Sequence, residues 1–202
     1  MCIATGAGYA LPMDTYQAIH FDLAGALQAH RIASPQRAEQ VARFSAFLAS
    51  SPDVFQRWHP PGHFTGSAWL VARDGERVLL THHRKLERWL QLGGHADGDP
   101  DLAQVALREA QEESGLGALR VEPRIFDIDR HRIPARGNEP EHWHYDVRFV
   151  VRAGADETFV VSDESHALAW RRIDAIAADA DAEESMRRMA RRWLAGRAAG
   201  AN

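Results

Sequence analysis

The stretch from Gly93 to Leu116 restricts this chain more than any other. Two adjacent glycines, Gly93 and Gly94, open a loop that runs to Pro100, and a patterned run follows from Asp101 to Ser114. Leu102, Val105, Ala106 and Ala110 recur at the period of a helix with one buried side. Asp99 or Asp101 can cap its start, and Gly115 stands where a helix ends in the left-handed conformation that glycine adopts without a Cβ penalty. Glu109, Glu112 and Glu113 occupy positions i, i+3 and i+4, so a helix puts their carboxylates on one face. They repel one another there, and in the last turn the helix dipole opposes them as well. A hard divalent cation with oxygen ligands relieves that repulsion, and Mg²⁺ typically combines carboxylates with waters and substrate phosphates. Arg108 can hold one carboxylate in its planar fork. The Gly93-Gly94 turn lets the backbone come close to the same cation or to a phosphate.

This spacing resembles the Nudix box: Gly, five residues, Glu, seven residues, Arg-Glu, an aliphatic, any residue, Glu-Glu, any residue, Gly, an aliphatic. Gly94, Arg108, Glu109, Glu112, Glu113, Gly115 and Leu116 match, and Ala110 is a small apolar residue at the aliphatic position. Pro100 replaces the first Glu of the box, and the Trp-x-x-Pro-Gly-Gly lead-in is altered to Trp89-Leu90-Gln91-Leu92-Gly93-Gly94. The resemblance covers about Gly62 to Ala195. It implies an α/β fold, a Nudix-type α/β/α sandwich around a mixed sheet, with the box as loop–helix–loop. It implies hydrolysis of the pyrophosphate bond of a nucleoside diphosphate linked to another moiety, with Mg²⁺ or Mn²⁺ as cofactor. By the same resemblance, Glu109, Glu112 and Glu113 are metal ligands, one of them acting as the water-activating base. The Gly93 carbonyl matches a main-chain ligand, and Arg108 orients a catalytic carboxylate. Losing the first Glu to Pro100 weakens the bracing between loop and helix before it weakens the metal site. Many family members add an acidic residue from a loop before a Trp-containing strand; Glu164, six residues before Trp170, is the candidate extra base or ligand.

The rest of the chain divides around the box. Residues 1–61 read as an N-terminal helical extension and 62–202 as the Nudix domain. In the extension, Ile19, Leu23, Leu27 and Ile32 fall at near-helical spacing. Ser34-Pro35 opens a second run, with Val41, Phe44, Phe47 and Leu48 on one stripe. Pro60-Pro61-Gly62 ends it. This extension is expected to serve packing or dimerisation or to cover the pocket, and Met13 offers a second starting position. In the larger part, Ala68 to Ala72 and Val78 to Leu80 flank an Asp74-Gly75 hairpin turn. Strands are expected at 124–129, 142–152, 158–161 and 167–171, and a closing helix at 182–195.

Further residues are candidates for a substrate pocket. His142, His144 and Asp146 alternate along one strand and so face one side, as a pocket wall or a transition-metal site, while Trp143, Tyr145 and Val147 face a core. His82, Arg84 and Arg88 belong to a local basic cluster that would attract phosphate. His95 lies inside the box, and His131 and Arg132 follow a strand and can reach the same pocket. Arg187, Arg188, Arg191 and Arg192 are balanced by Asp181, Glu183 and Glu184 and read as a solvated face over a buried Met186, Met189 and Trp193 stripe.

Composition removes other classes. The net charge of −4 argues against nucleic acid as a partner. No run of eighteen apolar residues is present to span a membrane, and residues 1–12 do not resemble a secretory signal. The single cysteine, Cys2, cannot form an internal disulfide, which fits a reducing, cytoplasmic compartment. It also argues against an isomerase of the same fold that needs a pocket cysteine. The expected partner is a small nucleotide substrate, with a homodimer as the assembly to test. The alternative to a hydrolase is a non-catalytic, nucleotide-sensing module of the same family.

Overall fold

The computed structural model describes residues 21–84, 87–161 and 165–200. Helix α1 is Leu23–Ala33, capped by Asp22, whose carboxylate accepts the Gly25 amide at 3.0 Å. A 3-10 turn at Pro35–Arg37 leads into α2, Ala38–Leu48. Both expected helical runs are present, with two corrections. Ser34 makes no side-chain cap bond, and Pro35 starts the 3-10 turn through its fixed φ. Ile32 is 71% exposed, because the buried stripe of α1 is Leu23, Leu27 and His30. Ile19 lies outside the described residues.

The remaining elements are β1 (Gly62–Val71), β2 (Arg77–His83), β3 (Arg88–Leu90), β4 (Leu92–His95), α3 (Leu102–Ser114), β5 (Arg120–Ile133), β6 (His142–Arg152), β7 (Ser165–Arg172), α4 (Ile173–Ala178) and α5 (Glu184–Gly200). Gly75 turns β1 into β2 at φ 71°, where any other residue would be strained. Three expectations shift. Gly93 and Gly94 belong to the short strand β4. Residues 158–161 form no strand; the Val160 amide instead donates to the Ser114 carbonyl at the end of α3, 2.8 Å away. Helix α4 is additional, too short to register as a periodic pattern.

Among the described residues the strands form one mixed sheet of order β3-β2-β1-β6-β5, with β4 paired to β1 and β7 to β2. Only β1 and β6 run parallel. Alternation along β1 divides its side chains between two layers. Phe64 packs with Phe44, Phe47, Leu102, Val105 and Tyr145 under α1, α2 and α3. Ala68 and Leu70 continue that face against Ala110 and Leu116. Trp69 and Val71 point the other way, onto Ile173, Met186, Met189 and Trp193 of α4 and α5. The result is a helix–sheet–helix sandwich in which α1 and α2 belong to the same core as α3.

The position of α3 is set at Gly66. A Cβ there would lie 2.8 Å from the Leu102 carbonyl oxygen and 2.9 Å from Val105 Cγ1. Only a glycine lets the helix come this close to β1, and this contact fixes the height of the three glutamates above the sheet edge. At the start of α3, Asp101 accepts the Gln104 amide at 3.1 Å. At its end, Gly115 takes φ 71° and donates to the Gln111 carbonyl.

Candidate active site

The Glu-bearing face of α3 closes onto β4. The Gly93 amide donates to Glu113 Oε1 at 2.8 Å. The Glu109 carboxylate packs on Gly94 so closely that a Cβ there would collide with it. Glu112, between them on the helix, is exposed. Gly94 is therefore required by the Glu109 carboxylate, and Gly93 by the close approach of Ser67 and the Gly66 carbonyl on β1. Arg108 reaches Glu109 Oε1 at 3.5 Å, Asp99 Oδ2 at 3.7 Å and the His95 carbonyl at 3.4 Å. These contacts join the loop to the helix next to Pro100. The donor set fits a hard divalent cation: carboxylate oxygens from successive turns of one helix, gathered against a strand with no side chains in the way. Glu164 lies outside the described residues.

On its other side Gly93 abuts Ser67, and Ser67 leads into a buried polar stripe on the face of the sheet away from α3. Asp146 Oδ1 accepts hydroxyl bonds from Ser67 at 2.7 Å and Thr65 at 3.0 Å. Its Oδ2 accepts from Arg148 Nε at 2.7 Å and Gln91 Nε2 at 3.3 Å. Arg148 also lies 3.5 Å from Asp127 and 3.6 Å from Asp129. Arg188 of α5 closes the group with a 2.6 Å bond to Asp127 Oδ2. Burial alone would lower the Arg148 guanidinium, but Asp146, Asp129 and Asp127 outweigh it and raise it above its ordinary value. Arg188 thus departs from the solvated face expected for the arginines of α5, whereas Met186, Met189 and Trp193 are buried as expected.

The stripe ends in histidines. β1 and β6 pair in register, His63 beside His144, and β5 sets His131 opposite His144. The His63 ring lies 4.8–5.0 Å from those of His95, His142 and His144. His142 and His144 therefore share a face, as their alternation implied. Burial, with the neighbouring rings adding to it, lowers His144 to about 2 and His63 to about 3. Burial and then Arg57 lower His95 to about 4. All three are neutral imidazoles near pH 7.

The basic candidates have local neighbours. The ring neighbours of His82 are Trp89 and His166, at 5.2 and 5.6 Å. Arg84 is exposed and donates to the Ser165 carbonyl at 3.3 Å. Arg132 pairs with Glu141 at the surface. Nothing in the spacing singled out His63, Ser67, Thr65 or Gln91. The one available signal was the polar alternation of His63, Thr65 and Ser67 at the start of a strand that turns apolar only from Ala68.

Comparison with known proteins agrees with this geometry. A family profile described as "NUDIX domain" matches residues 63–193. Two Mycobacterium tuberculosis proteins, from strains CDC 1551 / Oshkosh and ATCC 25618 / H37Rv, are each named "Putative 8-oxo-dGTP diphosphatase 3". Both are 33% identical to the chain over 114 residues, covering 52% of it and 51% of the relative. The chain thus spans about half the length of the curated relatives it matches. Among solved structures, that of a C. elegans Ap4A hydrolase binary complex superposes with a TM-score of 0.53. It covers 67% of this chain and 98% of that one at 18% identity, a likeness of fold. With a family profile spanning more than half of its length and the acidic helix of the box closed on its glycine pair, the chain belongs to the Nudix family.

Proposed function

We propose that this protein is a hydrolase that cleaves the pyrophosphate bond of a nucleoside diphosphate linked to another moiety, with Mg²⁺ or Mn²⁺ as cofactor. The observation that carries the reading is the closure of α3 on β4, with Glu113 against Gly93 and Glu109 against Gly94. Glu109, Glu112, Glu113 and the Gly93 carbonyl would hold the ion. When bound, it supplies positive charge to the diphosphate oxygens and acidifies water beside it. One of the three carboxylates takes the proton of the attacking water. Arg108 holds Glu109 in place from one side while Gly94 leaves room for it on the other. His142, His144 and His95 would form a wall for the leaving group where a metal ion does not take them up, and His82 and Arg84 would add phosphate attraction. The names of the relatives make 8-oxo-dGTP the first compound to test and Ap4A the second.

The test is phosphate and pyrophosphate release with Mg²⁺ or Mn²⁺ over a panel that includes both compounds and ADP-ribose. Turnover is expected to fall by about 10²-fold or more in Glu112→Gln and in Glu113→Gln. Full turnover in both variants would refute the assignment. Nucleotide binding without turnover across the panel would favour the sensing module instead. The proposed division is an extension at 1–61 and a domain at 62–202, with α1 and α2 of the extension packed into the domain's core. A cytoplasmic location and a homodimer complete the proposal, the latter read out by sedimentation mass. Among the described residues no helix is long and apolar enough to cross a membrane.

A further inference from the structure

Apart from the acidic helix, the described residues contain one group of side chains with the arrangement of a metal site. His63 of β1, His95 of β4 and His144 of β6 each present a ring nitrogen, and these three atoms lie within 4.8 Å of one another. A tetrahedral ion with nitrogen ligands at about 2.0–2.1 Å sets them about 3.4 Å apart. An ion bound there would draw the three rings together by up to about 1.4 Å. The three strands are held in fixed register by main-chain bonds, Thr65 opposite His95 and His63 beside His144, so the ligands are positioned by rigid elements.

Two observations point to a ligand rather than to packing. His63 is wholly buried, and neither its Nδ1 nor its Nε2 has a hydrogen-bond partner. Leaving a buried polar group unsatisfied is costly, and among the described residues His63 alone has two buried side-chain atoms without a hydrogen-bond partner. The second observation is His142. Its Nδ1 is 2.9 Å from the Pro140 carbonyl, so the tautomer that donates there turns the lone pair of Nε2 toward the other rings. That Nε2 lies 3.2 Å from His144 Nε2, a hydrogen bond between the rings that is also close to the edge length of a tetrahedral nitrogen set. Metal-ligating histidines are oriented in this way, the far nitrogen donating to a carbonyl.

We propose that His63, His95 and His144 form a second metal site, with His142 beside them to complete it, and that it takes a borderline divalent transition ion, Zn²⁺ foremost. Imidazole nitrogens select such ions, whereas Mg²⁺ prefers oxygen, so this site and the carboxylate site on α3 select different metals. A bound ion would tie β1, β4 and β6 together where β4 leads into the loop of the box. Because Arg108 donates to the His95 carbonyl, it would also brace the start of that loop.

The test uses the full, untagged chain, stripped with chelator and dialysed against Zn²⁺ or Co²⁺ in excess Mg²⁺. About one equivalent of Zn²⁺ per chain is expected to remain, with a visible Co²⁺ absorption typical of four-coordinate nitrogen ligation and a higher thermal midpoint than the stripped protein. Uptake should persist in the Glu112→Gln/Glu113→Gln double variant, which separates this site from the one on α3. It should be lost in His144→Gln and in His95→Gln. His142→Gln should weaken it by about tenfold to a hundredfold. His95 is only partly buried, so its variant serves if the others fail to fold. No uptake by the folded wild type, or uptake that disappears with the glutamates and survives the histidine variants, would overturn the proposal.

Discussion

Replacing Arg148 by methionine tests whether the buried polar stripe is held together by charge. Only 3% of the Arg148 side chain is exposed, and only 2% each of Asp127 and Asp146. Three carboxylates, Asp127, Asp129 and Asp146, share two guanidinium groups, Arg148 and Arg188. The cluster carries one net negative charge; Arg148→Met doubles it and leaves Asp146 with only neutral donors, Ser67, Thr65 and Gln91. Methionine fills much of the volume, so the loss is electrostatic rather than a cavity. Removing one partner of a buried ion pair costs about 3–5 kcal/mol. For a chain of this size that corresponds to a fall of roughly 6–20 °C in thermal midpoint.

Urea unfolding followed by tryptophan fluorescence at pH 7.5 measures the loss, provided the m-value is unchanged. A second variant separates charge from shape. Arg148→Met combined with Asp146→Asn removes the stranded carboxylate while keeping an acceptor for Ser67 and Thr65. The double variant should be more stable than Arg148→Met alone by more than about 1 kcal/mol, within the range for contacting residues. A loss below about 1 kcal/mol in the single variant, or no recovery in the double, would show that the stripe is hydrated and that charge does not hold it.

Other substitutions probe other links. In Gly94→Ala the new methyl group displaces the Glu109 carboxylate; a shift near 1 Å at the reacting centre should lower metal-dependent turnover by about 10²-fold, while circular dichroism stays native. Asp101→Ala removes the cap of α3 and should cost about 1 kcal/mol in urea unfolding, and an unchanged midpoint would mean that Asp99 replaces it. His30 is buried with its Nδ1 3.3 Å from the Ile125 carbonyl, and burial, with Arg192 adding to it, lowers its pKa. Below about pH 6.5 the unfolded chain therefore binds a proton that the folded chain refuses, and stability falls as the pH falls. In chelator, the His30→Gln variant should show a shallower fall than wild type between about pH 6.5 and 5; parallel curves would show that His30 protonates freely in the fold.

What the sequence disclosed is what lies within one element or one turn. The acidic face of α3 depends only on helical periodicity, and so do its cap, its Gly115 stop and the Met186, Met189 and Trp193 stripe. The Asp74-Gly75 turn is equally local. Errors enter where a neighbour comes from far along the chain. Arg188 looks solvated beside Glu184, yet its carboxylates are in β5, about sixty residues away. Val160 and Val161 have the composition of a strand, but residues 158–161 lie in no strand and are tied to the end of α3 instead. Ile32 is apolar yet exposed because the inward position on α1 belongs to a histidine, which a count of apolar residues passes over.

The same reasoning explains why half of the candidate site was hidden. The strand residues that sequence spacing missed there, His63, Thr65 and Ser67 with Asp127 and Asp129, lie on the sheet face opposite α3, where neighbours are chosen by strand register. A slip of β6 by one residue against β1 would turn His144 and Asp146 to the other face and bring Tyr145 and Val147 out of the core. What prevents the slip is Tyr145, stacked on Phe47 at 3.8 Å and set edge-on to Phe44 at 5.3 Å. The N-terminal helices therefore contribute to the site through the core: their aromatic residues pack on β6 in the register that gathers the histidines and carboxylates behind Gly93. It follows that Phe47→Ala should disturb the histidine cluster as well as the core, an effect that two-dimensional spectra of the imidazole protons would detect and that a purely local cavity would not produce.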